Sequence, residues 1–154
     1  MEYNVSAKGP NLELKMRLEK AASEADKVLA DKKATTASEE ELVGILVEYV
    51  RLRYLLKPDD IDPSDSFNYL GELSLARSLG MSVEQVRKTE LDSKCEGTSS
   101  SMTKKILLII ALGKALRIST DPERNAEITT INDLACELYA RLRGDVADGD
   151  ASEG

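Results

Sequence analysis

The sequence predicts an all-α protein, and three observations carry that prediction. Apolar residues recur at helical spacing in each long segment, and residues that favour helix N-termini stand where those runs begin. No segment alternates apolar and polar residues as a half-buried strand does, and neither an internal repeat nor a glycine-rich phosphate loop interrupts the pattern. The chain has 154 residues, enough for one ordinary domain with appendages.

Residues 11–33 are strong helix formers, with Leu14, Leu18, Ala21, Ala25 and Val28 near helical spacing. That stripe is thin, so the segment is expected at the edge of the fold or frayed, outside the core. KATTAS breaks the pattern, and Ser38 with Glu41 three residues later forms a capping box. Leu42, Ile45, Leu46, Tyr49, Val50, Leu52 and Arg53 then mark an amphipathic helix to about Leu56, ended by Lys57-Pro58 because a residue before proline avoids the helical region. KPDDIDPSDSF reads as an ordered loop that closes on a large apolar anchor, Phe67.

Two short helices come next, at about 68–79 and 83–91, with Gly80 separating them and Ser82 capping the second. DSKCEGTSSS is a polar, flexible loop. The run MTKKILLIIALGKALRI, from Met102, is apolar over almost its whole surface and is expected to be the most buried helix. Asp121-Pro122 marks a turn and a short helical segment. A last helix begins after Thr129-Thr130 and runs through INDLACELYARLR to Gly144, where glycine is expected to end it. The organisation is therefore an N-terminal helical extension over 1–36, a helical domain over 37–143 and an acidic tail over 144–154, expected to be disordered because it has almost nothing to bury.

Composition excludes whole classes of chemistry. The chain contains no histidine, which removes Ser-His-Asp and Cys-His nucleophile systems, HExxH zinc sites and imidazole acid–base work. Cys95 and Cys136 are too few for a disulfide framework or a structural zinc site, and a reducing, cytoplasmic home is expected. Cys136, among Leu134, Leu138 and Leu142, reads as a packing residue, and Cys95 as an inert loop thiol or, alternatively, an acyl acceptor. A net charge of −7 opposes generic nucleic-acid binding. The opening MEYNVSAKGP has no apolar core for a signal peptide, and Ile106 to Leu112 is too short to span a bilayer. No enzymatic activity is expected of such a chain.

Two blocks carry a resemblance. The first is the helix from Glu39 to Leu56 with the loop KPDDIDPSDSF; the second is ILLIIALGKALRISTDPERNAEITTINDLACEL. Together they resemble the acyl or peptidyl carrier proteins, small four-helix bundles that hold thioester-linked intermediates on a phosphopantetheine arm. The resemblance covers roughly half of the chain. It implies an acyl-carrier-like four-helix bundle with an inserted helical hairpin at about 68–100 and an extra N-terminal helix. It also implies a non-catalytic carrier of acyl or aminoacyl groups bearing covalent 4'-phosphopantetheine. Its expected partners are a phosphopantetheinyl transferase and acyl- or aminoacyl-loading enzymes; no membrane or nucleic acid is expected, and the chain should be monomeric.

The family's Asp-Ser-Leu tripeptide is missing. Ser101, in Ser-Ser-Met at the start of the Met102 helix, is the first candidate for attachment; an ungapped count would place Met102 there, so Ser101 needs a shift of one residue. Ser74, in LGELSL, and Ser93, in Asp92-Ser93-Lys94, are rivals. A helix N-terminus would stabilise an attached phosphodiester through its N–H groups and dipole. A serine before a helix is equally explained as a cap. Two other readings stay open: a carrier-like adaptor that has no cofactor, and a helix-turn-helix regulator built on SLARSLGMSVEQVRK. The second helix of that motif carries Arg87 and Lys88 against Glu84, Glu90 and Asp92, a poor DNA ligand. Lys104, Lys105 and Lys114 make the Met102 helix basic, so a partner bound there should be acidic or neutral.

Overall fold

The computed structural model describes residues 2–93 and 100–153, with side chains over 12–89 and 100–144. Within these bounds the chain is all-α, with seven α-helices: α1 (Glu2–Asp31), α2 (Glu39–Arg53), α3 (Phe67–Leu79), α4 (Val83–Ser93), α5 (Ser100–Leu116), α6 (Pro122–Glu127) and α7 (Ile131–Glu153). Among the described residues no strand forms. One isolated bridge, Ser66 to Thr130, joins the starts of α3 and α7. It is tightened by the Phe67 N–H donating to the Thr129 carbonyl at 2.7 Å and by the Asn132 N–H donating to the Pro63 carbonyl at 3.1 Å.

Local chemistry sets most helix ends. Ser38 and Glu41 make the reciprocal capping box at α2. Ser82 and Gln85 make the equivalent exchange at α4, the Gln85 N–H donating to Ser82 Oγ at 3.1 Å and the Ser82 N–H to Gln85 Oε1 at 2.8 Å. Gly80 ends α3 in the left-handed region, at φ 67°. Asp121 caps α6, with Pro122 in its first turn. α2 stops at Arg53, before proline has any effect: Leu55 takes φ 57° and the Leu56 N–H reaches back to the Arg51 carbonyl at 2.9 Å. α5 ends the same way, with Arg117 at φ 58° and the Ile118 N–H bonded to the Gly113 carbonyl at 3.0 Å.

One core joins the helices. Leu42, Leu46, Tyr49 and Val50 of α2 meet Phe67 and Leu70 of α3, Leu108, Ile109 and Leu112 of α5, and Ile131, Leu134 and Leu138 of α7. Burying each large apolar side chain stabilises the fold by about 1.5–3 kcal/mol.

Five expectations are corrected here. α1 is no peripheral strut: Ala25 and Leu29 are buried in the common core, because small residues let α1 lie close along α2. α3 lies within the same core and packs along α5, while α4 packs on α3, so the first helix of the expected hairpin is part of the core and not an addition beside it. α5 is not buried all round; Met102, Ile106, Leu107 and Ile110 face solvent. Cys136 is exposed, and its neighbour Ala135 occupies the core position. Finally, α7 continues past Gly144 to Glu153, where the sequence predicts that glycine ends the helix. Gly144 does not adopt a positive φ, and an internal glycine that keeps helical angles weakens a helix by about 1 kcal/mol without stopping it.

Candidate functional site

Ser101 lies in the first turn of α5 and is 4% exposed. Its hydroxyl donates to Asn68 Oδ1 at 2.8 Å, in the first turn of α3. Gly71, one turn further along α3, lies against the same serine, so the two helices cross with no side chain between their backbones. The seat is built by chain geometry: Ser66 accepts the Tyr69 N–H and fixes the start of α3, placing Asn68 and Gly71 toward α5.

Ser74 is 1% exposed and donates to the Tyr54 carbonyl at 2.7 Å. It satisfies a carbonyl at the C-terminal end of α2, one of the groups that a helix end leaves without an internal partner. Neither hydroxyl is presented to solvent, although attachment of a prosthetic group requires access. Ser93 is the last residue of α4, and its side chain lies outside the described residues, as does the whole of Cys95. Ser101 and Ser74 stand at separate helix contacts, one under α3 and the other at the end of α2, and are not brought together.

Beside Ser101 opens a cavity of about 280 Å³, lined by Asn68, Met102, Lys105, Ala126 and Ile128 among others. A second, of about 220 Å³, adjoins it through Met102, Lys105 and Ala126 and extends along Ile106 and Ile110 to Thr120, Pro122 and Asn125. Lys105 runs between them. Its ammonium donates to the Ile128 carbonyl at 2.9 Å and approaches the Ala126 carbonyl at 3.5 Å, tying α5 to the C-terminal end of α6. Burial holds its pKa below the usual lysine value.

Lys104 leaves α5 on the opposite side and lies over the Tyr54 ring, 5.0 Å from its centroid. Burial first, and the nearby positive charge of Arg53 second, lower its pKa. Burial likewise pushes the Tyr49 phenol up to about 12. On α4, Arg87 bonds to Glu72 of α3 at 2.9 Å, which takes one of the few basic side chains away from any nucleic-acid face. Among the described residues no group of three His, Cys, Asp or Glu could hold a metal ion, and no helix is long and apolar enough to cross a membrane.

The sequence does not point to Asn68, Gly71 or Lys105 as neighbours of this site. Gly71 leaves one trace. A lone glycine inside a helical pattern often marks a close packing contact, and here it does. No family model, no curated protein and no solved structure matches the chain.

Proposed function

We propose that this protein is a non-catalytic helical interaction module, an adaptor with a carrier-like order of elements and no prosthetic group. The observation that carries the reading is the contrast along α5: Ser101 is packed beneath α3, while Met102, Ile106, Leu107 and Ile110 stand in solvent. A contiguous exposed apolar surface is characteristic of a contact site. The lack of histidine in the sequence supports a role without imidazole acid–base catalysis. A cytoplasmic setting belongs to the same reading.

The carrier of acyl or aminoacyl thioesters on 4'-phosphopantetheine at Ser101 is the second reading. It draws support from the place of Ser101 in the first turn of α5, at the rim of the 280 Å³ cavity. Modification would require that turn to lift off Gly71 and release Asn68. Intact-mass spectrometry after incubation with coenzyme A and a promiscuous phosphopantetheinyl transferase separates the two. The adaptor reading expects an unchanged mass. A pantetheinyl increment that Ser101→Ala abolishes, and Ser74→Ala retains, overturns it in favour of the carrier.

A further inference from the structure

We propose that the outward face of α5 docks an amphipathic helix of a partner protein, with acidic residues flanking that helix's apolar stripe; this rests on the reading of the chain as an interaction module. The apolar part of the face is Met102, Ile106 and Ile110, spaced four residues apart, with Leu107 beside them; their exposures are 48%, 42%, 39% and 58%. Residues at this spacing lie along one side of a helix, the pattern into which a second amphipathic helix packs. The cavity between Ile106, Ile110, Thr120 and Pro122 gives the face a concave socket for an anchoring side chain.

Charge selects the occupant. α5 holds three lysines and no acid, in a chain whose net charge is −7. Lys105 is engaged with the carbonyls at the end of α6. Lys104 is half-buried over Tyr54 on the other side of α5, which leaves Lys114, exposed one turn beyond Ile110 and in no salt bridge among the described residues. A partner carboxylate placed beside Lys114 would meet a positive charge that no acid among the described residues pairs with. A second copy of this chain offers the wrong complement, since α5 against α5 sets lysine against lysine. A bilayer is disfavoured by the concave socket and by the overall negative charge, which an anionic surface repels.

The test is selection from a displayed library of short helices with leucines fixed at helical spacing and the flanking positions randomised between Glu and Lys. The full-length protein, labelled at no residue of α5, is the bait. Glu should be enriched at the flanks, and the selected peptides should lose binding to Ile106→Asp and Leu107→Asp, both exposed positions whose variants should retain the wild-type circular dichroism. Replacing the Glu flanks with Lys should weaken binding about tenfold or more, and Lys114→Glu should recover part of that loss for the Lys-flanked peptide. Enrichment of Lys, or indifference to flank charge, with binding still lost in Ile106→Asp, overturns the acidic partner but leaves the module standing. Absence of any binder sensitive to Ile106→Asp overturns the docking site. So does a dimer by sedimentation that this substitution dissolves, or capture by phosphatidylserine vesicles. The module reading fails separately, through the mass increment at Ser101.

Discussion

A Cβ placed on Gly71 would lie 2.5 Å from the Cβ of Ser101 and 2.8 Å from its Cα, so α3 and α5 touch at this pair with no room for another atom. Real Cβ atoms do not approach so closely, and the contact involves backbone, which cannot swing aside. The pair fixes the separation of two core helices. It also holds Ser101 beneath α3, where its hydroxyl is bonded to Asn68 and away from solvent.

Gly71→Ala should therefore destabilise the protein by about 1–3 kcal/mol, the range for overpacking a filled site. Ser101→Ala keeps the close approach and removes the bond to Asn68, a loss of about 1 kcal/mol. Gly44 is the control: it is exposed in α2 and nothing lies within 4 Å of an added Cβ, so Gly44→Ala should stabilise by about 0.5–1 kcal/mol. Urea unfolding followed by circular dichroism reads all three.

Arg117 and Gly80 end their helices in the same left-handed region with opposite suitability. Arg117 is exposed at φ 58°, a conformation that costs an L-residue roughly 1–2 kcal/mol. Part of any gain from glycine is lost to its freer unfolded chain, so Arg117→Gly should stabilise by a few tenths to about 1 kcal/mol. Gly80→Ala meets no atom within 4 Å but must hold φ 67°, and should lose about 1 kcal/mol. Thermal unfolding should rank the wild type between these two variants.

Glu137 bonds to Arg124 of α6 and to Arg141 of its own helix, each at 3.0 Å. Burial pushes its carboxyl upward, but the two guanidiniums together outweigh that and hold the pKa below the usual glutamate value. A carboxylate whose folded pKa is depressed contributes stability that is full above its unfolded pKa and disappears as pH falls through the folded one. Glu137→Gln should accordingly be less stable than the wild type near neutral pH, with the gap closing as both are acidified below the usual carboxylate range. A gap that persists unchanged at low pH would show that the ion pairs are not its cause.

How far the sequence speaks depends on how local each determinant is. Ser38, Gly80, Ser82 and Asp121 act within a few residues of themselves, and each marks its helix end as its chemistry requires. Leu55 and Arg117 end helices without any residue that announces it; the left-handed turn there is imposed by the packing of the downstream segments, which begin with the core residue Leu56 and the half-buried Ile118. Periodicity cannot orient α5, because a helix apolar nearly all round has no single wet face to read. Ala135 and Cys136 are adjacent and both small enough for the core, so only the placement of α7 against α2 chooses between them. The candidate site is the least legible part. Ser101 looks like an exposed helix-start hydroxyl, and its burial depends on Gly71 and Asn68, which lie thirty or more positions earlier in the chain.

The stability of Ser101→Leu in urea probes the buried serine most sharply. A leucine there has no space beneath α3, and a loss of about 1–3 kcal/mol is predicted. If Ser101→Leu unfolds within about 0.5 kcal/mol of the wild type, as an exposed surface substitution does, the serine is open to solvent. The assignment of this residue to the core, on which the proposed adaptor reading rests, would then be contradicted.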